Sequence, residues 1–314
     1  MIDITDSTYI PEQKTAVALG LFDGVHKGHC AVINAAVSYE AEGYKSAVFT
    51  FKTDSVTSKG HDGRIEMLLT DELKQEKFKQ MGIEYLFSPD FPEMKNLTAE
   101  MFVKDILVER LNAGVAVCGD DFRFGKGALG DCDTLRKLGQ KYGIEVCVIS
   151  HIICDEGEIS SSNIRKAVRN GEIKRANAML GYNLLFMLPV IDGNRIGRTL
   201  SFPTINQRIP KGQVLPRFGV YASIVKFDGS TYYGVSNVGI KPTVHSDGLP
   251  LIETYIMDYS GNLYGKTVSV ELVDFIRPEC RFDSISELKC QIEKDVAGVR
   301  NVIYNSSERK DENE

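Results

Sequence analysis

Apolar and polar positions follow two different patterns along this chain. Through about residue 180, short apolar runs are each followed by a stretch with helical spacing. Ala16 to Leu19 precedes a helix from Cys30, Lys45 to Phe51 precedes Asp71 to Met81, and Glu84 to Ser88 precedes Thr98 to Leu111. Val115 to Cys118 then precedes Asp133 to Tyr142, and Ile144 to Ile152 ends the series. Strands alternating with helices predict an open, mainly parallel α/β sheet whose ligands bind beyond the carboxyl ends of its strands. After Leu180-Gly181-Tyr182 the pattern becomes strand after strand: Phe186 to Ile191, Gly219 to Phe227, Thr231 to Val238, Ile252 to Met257 and Thr267 to Phe275. Turns such as Asp228-Gly229 and Ser260-Gly261-Asn262 separate them, which predicts a small antiparallel β-barrel closed by one helix, Ser286 to about Tyr304. The domains expected are therefore residues 1–181 and 182–305, with 306–314, charged and without apolar residues, as a disordered tail.

Composition narrows the partners. At 314 residues, 43% hydrophobic and 25% charged, the chain has material for two ordinary cores. A net charge of -6 and a pI near 5.6 argue against a nucleic-acid or anionic-membrane surface, while leaving room for a local basic pocket. No apolar run approaches membrane-spanning length, and Met1 to Asp6 lacks a basic region followed by an apolar stretch, so a cytoplasmic location is expected. The seven cysteines are scattered without a Cys-x-x-Cys, as reduced, incidental thiols are.

The densest local chemistry is Gly20-Leu21-Phe22-Asp23-Gly24-Val25-His26-Lys27-Gly28-His29, directly after the first strand. Strand, glycine-rich turn and helix in that order put the first helical amides, with the positive end of the helix dipole, at the sheet edge, where an anion belongs. Imidazoles there add donors without a fixed full charge, which suits a triphosphate. The alternatives are a metal-binding histidine pair, for which no third ligand is suitably spaced, and a purely structural turn.

Further along, Gly119-Asp120-Asp121-Phe122-Arg123-Phe124-Gly125 follows a strand on the same edge and combines carboxylates, an arginine and two aromatic rings; the alternative is a structural loop. The overlapping Gly125-Lys126-Gly127-Ala128-Leu129-Gly130 has dinucleotide-fingerprint spacing, but its glycines do not directly follow a strand. Ser160-Ser161-Ser162-Asn163-Ile164-Arg165 opens a helix and makes a second anion-binding end or an ordinary serine cap. In the strand-rich half, Gly193-Asn194-Arg195-Ile196-Gly197-Arg198 leads to Phe202-Pro203-Thr204-Ile205-Asn206, where Thr204 and Asn206, two apart, face one side of an extended segment and can hold magnesium beside phosphates. Glu253 lies in an apolar strand, a costly place for a carboxylate unless it is paired or working. Gly261 to Thr267 imitates a Walker loop, yet is one residue short and leads into a strand, so it is read as a hairpin turn.

Taken in order, these motifs resemble the bacterial bifunctional riboflavin kinase/FAD synthetases, with Asn237 to Thr243 and Arg277 to Phe282 adding to the match. The resemblance implies a Rossmann-like HxGH nucleotidyltransferase domain followed by a β-barrel riboflavin kinase domain. It further implies phosphorylation of riboflavin to FMN by ATP, then adenylylation of FMN to FAD with release of pyrophosphate. Gly20, Phe22, Asp23, Gly24, His26, His29, Ser161 and Arg165 would bind ATP for adenylylation, with His26 and His29 catalytic; Asp121, Phe122 and Arg123 would meet flavin or metal. In the kinase, Gly193, Gly197, Arg198, Phe202, Pro203 and Asn237 would line the ATP and flavin site. Thr204 and Asn206 would hold Mg2+, and Glu253 would be the general base. One departure is plain: the family's proline-containing loop after the second strand reads Phe51-Lys52-Thr53-Asp54-Ser55 here. Alternatives are a riboflavin kinase with an impaired adenylyltransferase domain and a non-catalytic flavin sensor.

Overall fold

The computed structural model describes every residue except 57–65, 194–200, 241–248 and 312–314. It divides into two compact units, Met1–Ser161 and Ser162–Glu314.

In the first unit six strands form one parallel sheet in the order β1-β4-β3-β2-β5-β6. They are β1 (Ile2–Asp3), β2 (Thr15–Leu19), β3 (Lys45–Phe49), β4 (Tyr85–Phe87), β5 (Ala113–Gly119) and β6 (Glu145–Ile149). Every residue of β2 is buried, as a central parallel strand covered on both faces must be. Helix α1 (Lys27–Ser38) covers one side with Val32, Ile33 and Ala36. An aromatic core that includes Phe49, Phe87, Phe102 and Phe124 packs elsewhere on the sheet. Helices α2 (Asp71–Gln80) and α3 (Cys132–Tyr142) match their expected spans closely.

Two stretches differ from expectation. The helix read from Thr98 to Leu111 is one short turn, Ala99–Met101, followed by a wide-turned helix, Phe102–Arg110, whose end is marked by Leu111 N–H bonding Ile106 O five residues back. That helix buries Phe102, Val103, Ile106 and Leu107 while Arg110 donates to the carbonyls of Ile4, Ser7 and Tyr9. Strand β6 is only half-buried and stops at Ile149; the apolar residues beyond it enter a hairpin of β7 (Ile153–Cys154) and β8 (Gly157–Glu158).

The second unit contains most of α4 (Ser161–Asn170), then α5 (Ile173–Leu180) and a six-stranded antiparallel sheet. Its start precedes the change of pattern at Leu180 because α5 is fastened to the strands: Asn177 donates to Leu272 O at 2.9 Å and Lys174 pairs with Asp274 at 2.8 Å. The strands are β9 (Leu184–Pro189), β10 (Thr204–Arg208), β11 (Gly219–Phe227), β12 (Ser230–Gly239), β13 (Leu251–Ile256) and β14 (Thr267–Pro278), ordered β10-β13-β12-β11-β14-β9. The two ends of this sheet meet where Ile191 pairs with Asn206 and where Gln207 donates to the carbonyls of Leu188 and Val268, which curves the sheet into a barrel. Terminal helix α6 (Ile285–Asp311) sets Val299 against Val220, Ala222, Val235 and Met257. It extends past Tyr304 into the segment expected to be disordered, since Ser306 to Asp311 contains neither glycine nor proline and is rich in good helix formers.

Candidate active sites

The turn after β2 is built around histidine as a helix cap. His26 takes extended backbone angles, and its Nδ1 accepts the His29 amide at 3.2 Å, the role usually filled by serine or aspartate. An accepting Nδ1 fixes the tautomer, so Nε2 carries the proton and is the donor end of the ring. The rings of His26 and His29 stack at 3.5 Å, and Phe22 meets His29 edge-on at 5.3 Å. Gly28 makes this possible, because a Cβ there would lie 3.2 Å from the His26 ring. Phe22 and Val25 hold positive φ of 51° and 35°, a conformation costly for bulky side chains and common where a loop is shaped for a ligand. Asp23 is buried at 2% exposure; its carboxylate accepts Leu68 N–H at 2.9 Å and its carbonyl accepts the Ser161 hydroxyl at 2.9 Å. Ser161 is thereby fastened to the same turn, and Arg165 follows one turn along α4.

Strand β5 delivers the second loop. Asp121 and Arg123 are exposed, whereas Phe122 is half-buried and stacks on Phe124 at 5.6 Å. Asp120 is turned toward the β6 side, where it binds both the amide and the ring of His151, whose other nitrogen lies 3.2 Å from Glu158. The Asp120 hydrogen bond raises the His151 pKa. Burial pushes the Asp120 carboxyl up, but its bonds to His151 outweigh this and hold it below the ordinary carboxylate range. Gly125 to Gly130 forms a tight turn ahead of α3 and does not open a phosphate-binding helix.

In the barrel, strand register gathers residues far apart in sequence. Asn206 of β10 lies opposite Glu253 of β13, and Glu253 lies opposite Asn237 of β12. Thr204 faces Tyr255 across the same pair of strands, and Phe202 meets Tyr255 edge-on at 5.1 Å. Along β13 the residues Ile252, Thr254 and Ile256 are buried while Glu253 and Tyr255 are half-exposed, so Glu253 sits on the open face. Asn206 is 4% exposed, and backbone crowds it: a Cβ on Gly193 would stand 2.4 Å from its amide nitrogen. Asn237 donates to Glu279 at 3.3 Å. Pro203, Thr204 and Ile205 also line a cavity together with the Tyr259 to Tyr264 turn.

The two units carry different family signatures. A sequence profile for FAD synthetase matches residues 10–163, and one for riboflavin kinase matches residues 180–303. The chain is 34% identical over 287 residues to the bifunctional riboflavin kinase/FMN adenylyltransferase of Listeria monocytogenes, covering 90% of this chain and 91% of that one. Its identity to the enzyme of the same name from Bacillus subtilis is 36% over 290 residues, with 90% and 91% covered. This chain belongs to the bifunctional riboflavin kinase/FMN adenylyltransferase family. The fold is also that of a Streptococcus pneumoniae crystal structure named as a macrolide-efflux protein, at TM-score 0.83 and 30% identity over 93% of this chain and 95% of that one. No described helix of the present chain is long and apolar enough to cross a membrane.

For a family member, the residues expected from sequence form two groups. His26, His29, Phe22, Asp23, Gly24 and Ser161 converge on one turn, and Gly193, Phe202, Thr204, Asn206, Asn237 and Glu253 lie together in the barrel. Gly20 directly follows β2, its amide donating to Phe49 O. Gly197, Arg198 and the Lys241 to Thr243 segment lie outside the described residues. Missed by the sequence reading were Glu279 as partner of Asn237, the Tyr259 to Tyr264 wall beside Thr204, and a buried lysine, Lys74. The wall has a signal in its glycine turn, which the sequence predicts to be a hairpin; it instead joins β13 to β14, strands separated by β12 and β11 in the sheet.

Proposed function

We propose that this protein makes FMN from riboflavin and ATP in residues 182–305, and FAD from FMN and ATP in residues 1–181, acting in the cytoplasm. What carries the reading is that each unit holds its own set of groups suited to one of the two transfers: a capped histidine pair at a helix start, and a strand-register row of Asn206, Glu253 and Asn237.

For adenylylation the nucleophile is the FMN phosphate, already an anion, so no strong base is needed. The α1 amides, the Nε2 donor of His26, His29, Ser161 and Arg165 bind the ATP phosphates and stabilise charge as pyrophosphate leaves. Asp121, Phe122 and Arg123 face the flavin side. For phosphorylation the ribityl hydroxyl is a poor nucleophile, and Glu253 accepts its proton as the hydroxyl attacks the γ-phosphorus and the bond to the β,γ-bridging oxygen breaks, releasing ADP.

Thr204 and Asn206 suit magnesium: both offer neutral oxygens, and Asn206 is held against backbone at Gly193. A magnesium ion held there would take its remaining ligands from nucleotide and water. When bound, magnesium neutralises phosphate charge; the chain's own residues orient and deprotonate the acceptor.

The test is chromatography of products after incubation with riboflavin, ATP and magnesium. FMN together with FAD is expected. FMN alone would leave a kinase with an idle first domain, and neither product would leave a flavin-binding protein.

A further inference from the structure

The loop that departs from the family pattern is held by a buried charge network. Lys74 of α2 is 2% exposed, and an ammonium so placed requires full hydrogen bonding. It has three acceptors: Phe51 O at 3.0 Å, Thr53 Oγ1 at 3.0 Å and Asp71 Oδ1 at 2.9 Å. Asp71 in turn accepts the Thr53 amide at 2.9 Å and the Thr53 hydroxyl. Burial raises the Asp71 carboxyl, yet Lys74 and Thr53 outweigh it and hold its pKa below the ordinary value. Where prolines would fix φ angles covalently, this loop is fixed by an ion pair and a shared hydroxyl.

The same segment reaches the nucleotide turn. Phe78 of α2 packs edge-on against Phe22 at 5.9 Å, and Leu68, just before the helix, donates to Asp23. Thr50, just after β3, donates to Leu21 O at 2.9 Å. Strands β2 and β3 are neighbours, so the loop Phe51 to Ser55 lies beside the phosphate-binding turn at the carboxyl edge of the sheet. Its Phe51 is half-exposed and meets Phe49 and Phe91 edge-on at 5.2 and 5.3 Å, an apolar surface suited to a flat aromatic acceptor.

We propose that Lys74, Asp71 and Thr53 are positioning residues for the flavin acceptor of adenylyl transfer, setting how Phe51 and the backbone of its loop meet the FMN ring. The proposal rests on the adenylyltransferase reading of the first unit. None of the three touches a reacting atom; they act through the loop.

Thr53→Val tests it, because valine keeps the shape of threonine and leaves the Lys74–Asp71 ion pair intact. Asp71→Asn is the second variant and Thr53→Ser the conservative rescue. With FMN and ATP varied in turn, Thr53→Val and Asp71→Asn are expected to raise KM for FMN about tenfold, while KM for ATP and riboflavin phosphorylation by the same protein stay within about twofold. Thr53→Ser is expected to restore the FMN value. An unchanged KM for FMN in folded variants, or an equal rise for ATP, would overturn the positioning role. An unaltered protein that forms no FAD from supplied FMN would instead remove the adenylyltransferase reading itself.

Discussion

The two candidate sites are made in opposite ways. In the first unit the histidine turn is nearly contiguous in sequence: His26 caps the helix that carries His29, and Gly28 between them leaves room for the ring. In the barrel, Asn206, Glu253 and Asn237 come from three strands and meet only through pairing register. A turn-and-helix site stands or falls with local backbone geometry. A register-built site depends on every strand between its parts, and its residues sit on rigid pairing rather than on a loop.

The sharpest way to break the comparison is Glu253→Gln. Removing a general base costs about a hundredfold to ten-thousandfold, so riboflavin phosphorylation is expected to collapse while conversion of supplied FMN to FAD continues. Thermal unfolding should move little, since glutamine keeps the size and hydrogen-bonding capacity of a half-exposed residue. Phosphorylation near the original rate, or joint loss of both activities with severe destabilisation, would show that Glu253 is a structural carboxylate. His29→Ala is the converse: about a hundredfold or greater loss of FAD formation with FMN formation preserved. Equal loss of both products would mean that the two sites are not separable.

How much of this was legible depends on whether the signal was local. Strands β2 to β6 and α1 to α3 were readable because burial on one or both faces writes itself into apolar runs and helical spacing, whereas β1, two exposed residues, carries no such signal and was missed. Strand β10 was read only as an extended segment, since its consecutive residues Asn206 and Gln207 are both buried and both polar, which erases the alternation that marks a strand. The candidate residue Glu253 was visible as a carboxylate in an apolar strand, but its neighbours Asn206 and Asn237 are set by register, which no local pattern records. Lys74 was invisible for a related reason. It shares a polar run with Lys77 and Lys79, and only its phase with Phe78 on the inner face of α2 buries it.

A smaller effect sharpens the barrel side. In Gly193→Ala the new methyl would stand 2.4 Å from the Asn206 amide nitrogen and 2.7 Å from its carbonyl carbon. That side chain can rotate away, so the fold should survive while the proposed metal ligand is displaced. The expected result is a fall of about tenfold in kcat/KM for phosphorylation, partly recovered by raising magnesium, with FAD formation from FMN unchanged. Unaltered magnesium dependence would mean that Asn206 holds no metal, and the row in the barrel would then serve the flavin alone.

The smallest predicted effect concerns pH, and it probes the first unit where its loops are tied by charge. His151 bonds Asp120 and also faces Glu158 and Asp121, all of which favour its protonated form. A histidine whose pKa is raised on folding contributes stability that is fully present below its unfolded value, about 6.5, and is lost as pH rises through the folded value. Asp120, shifted the other way, contributes above about 3.9 and loses that contribution as pH falls through its lower folded value. The pair therefore stabilises most between these limits, in mildly acidic solution. Because the His151 side chain is 36% exposed, screening keeps the gain small, about 1 °C in Tm. Comparing His151→Asn with the unaltered protein from mildly acidic to mildly alkaline pH should show a Tm gap that closes as pH rises. A gap independent of pH would assign His151 a packing role and leave the Asp120 loop held by neutral hydrogen bonds.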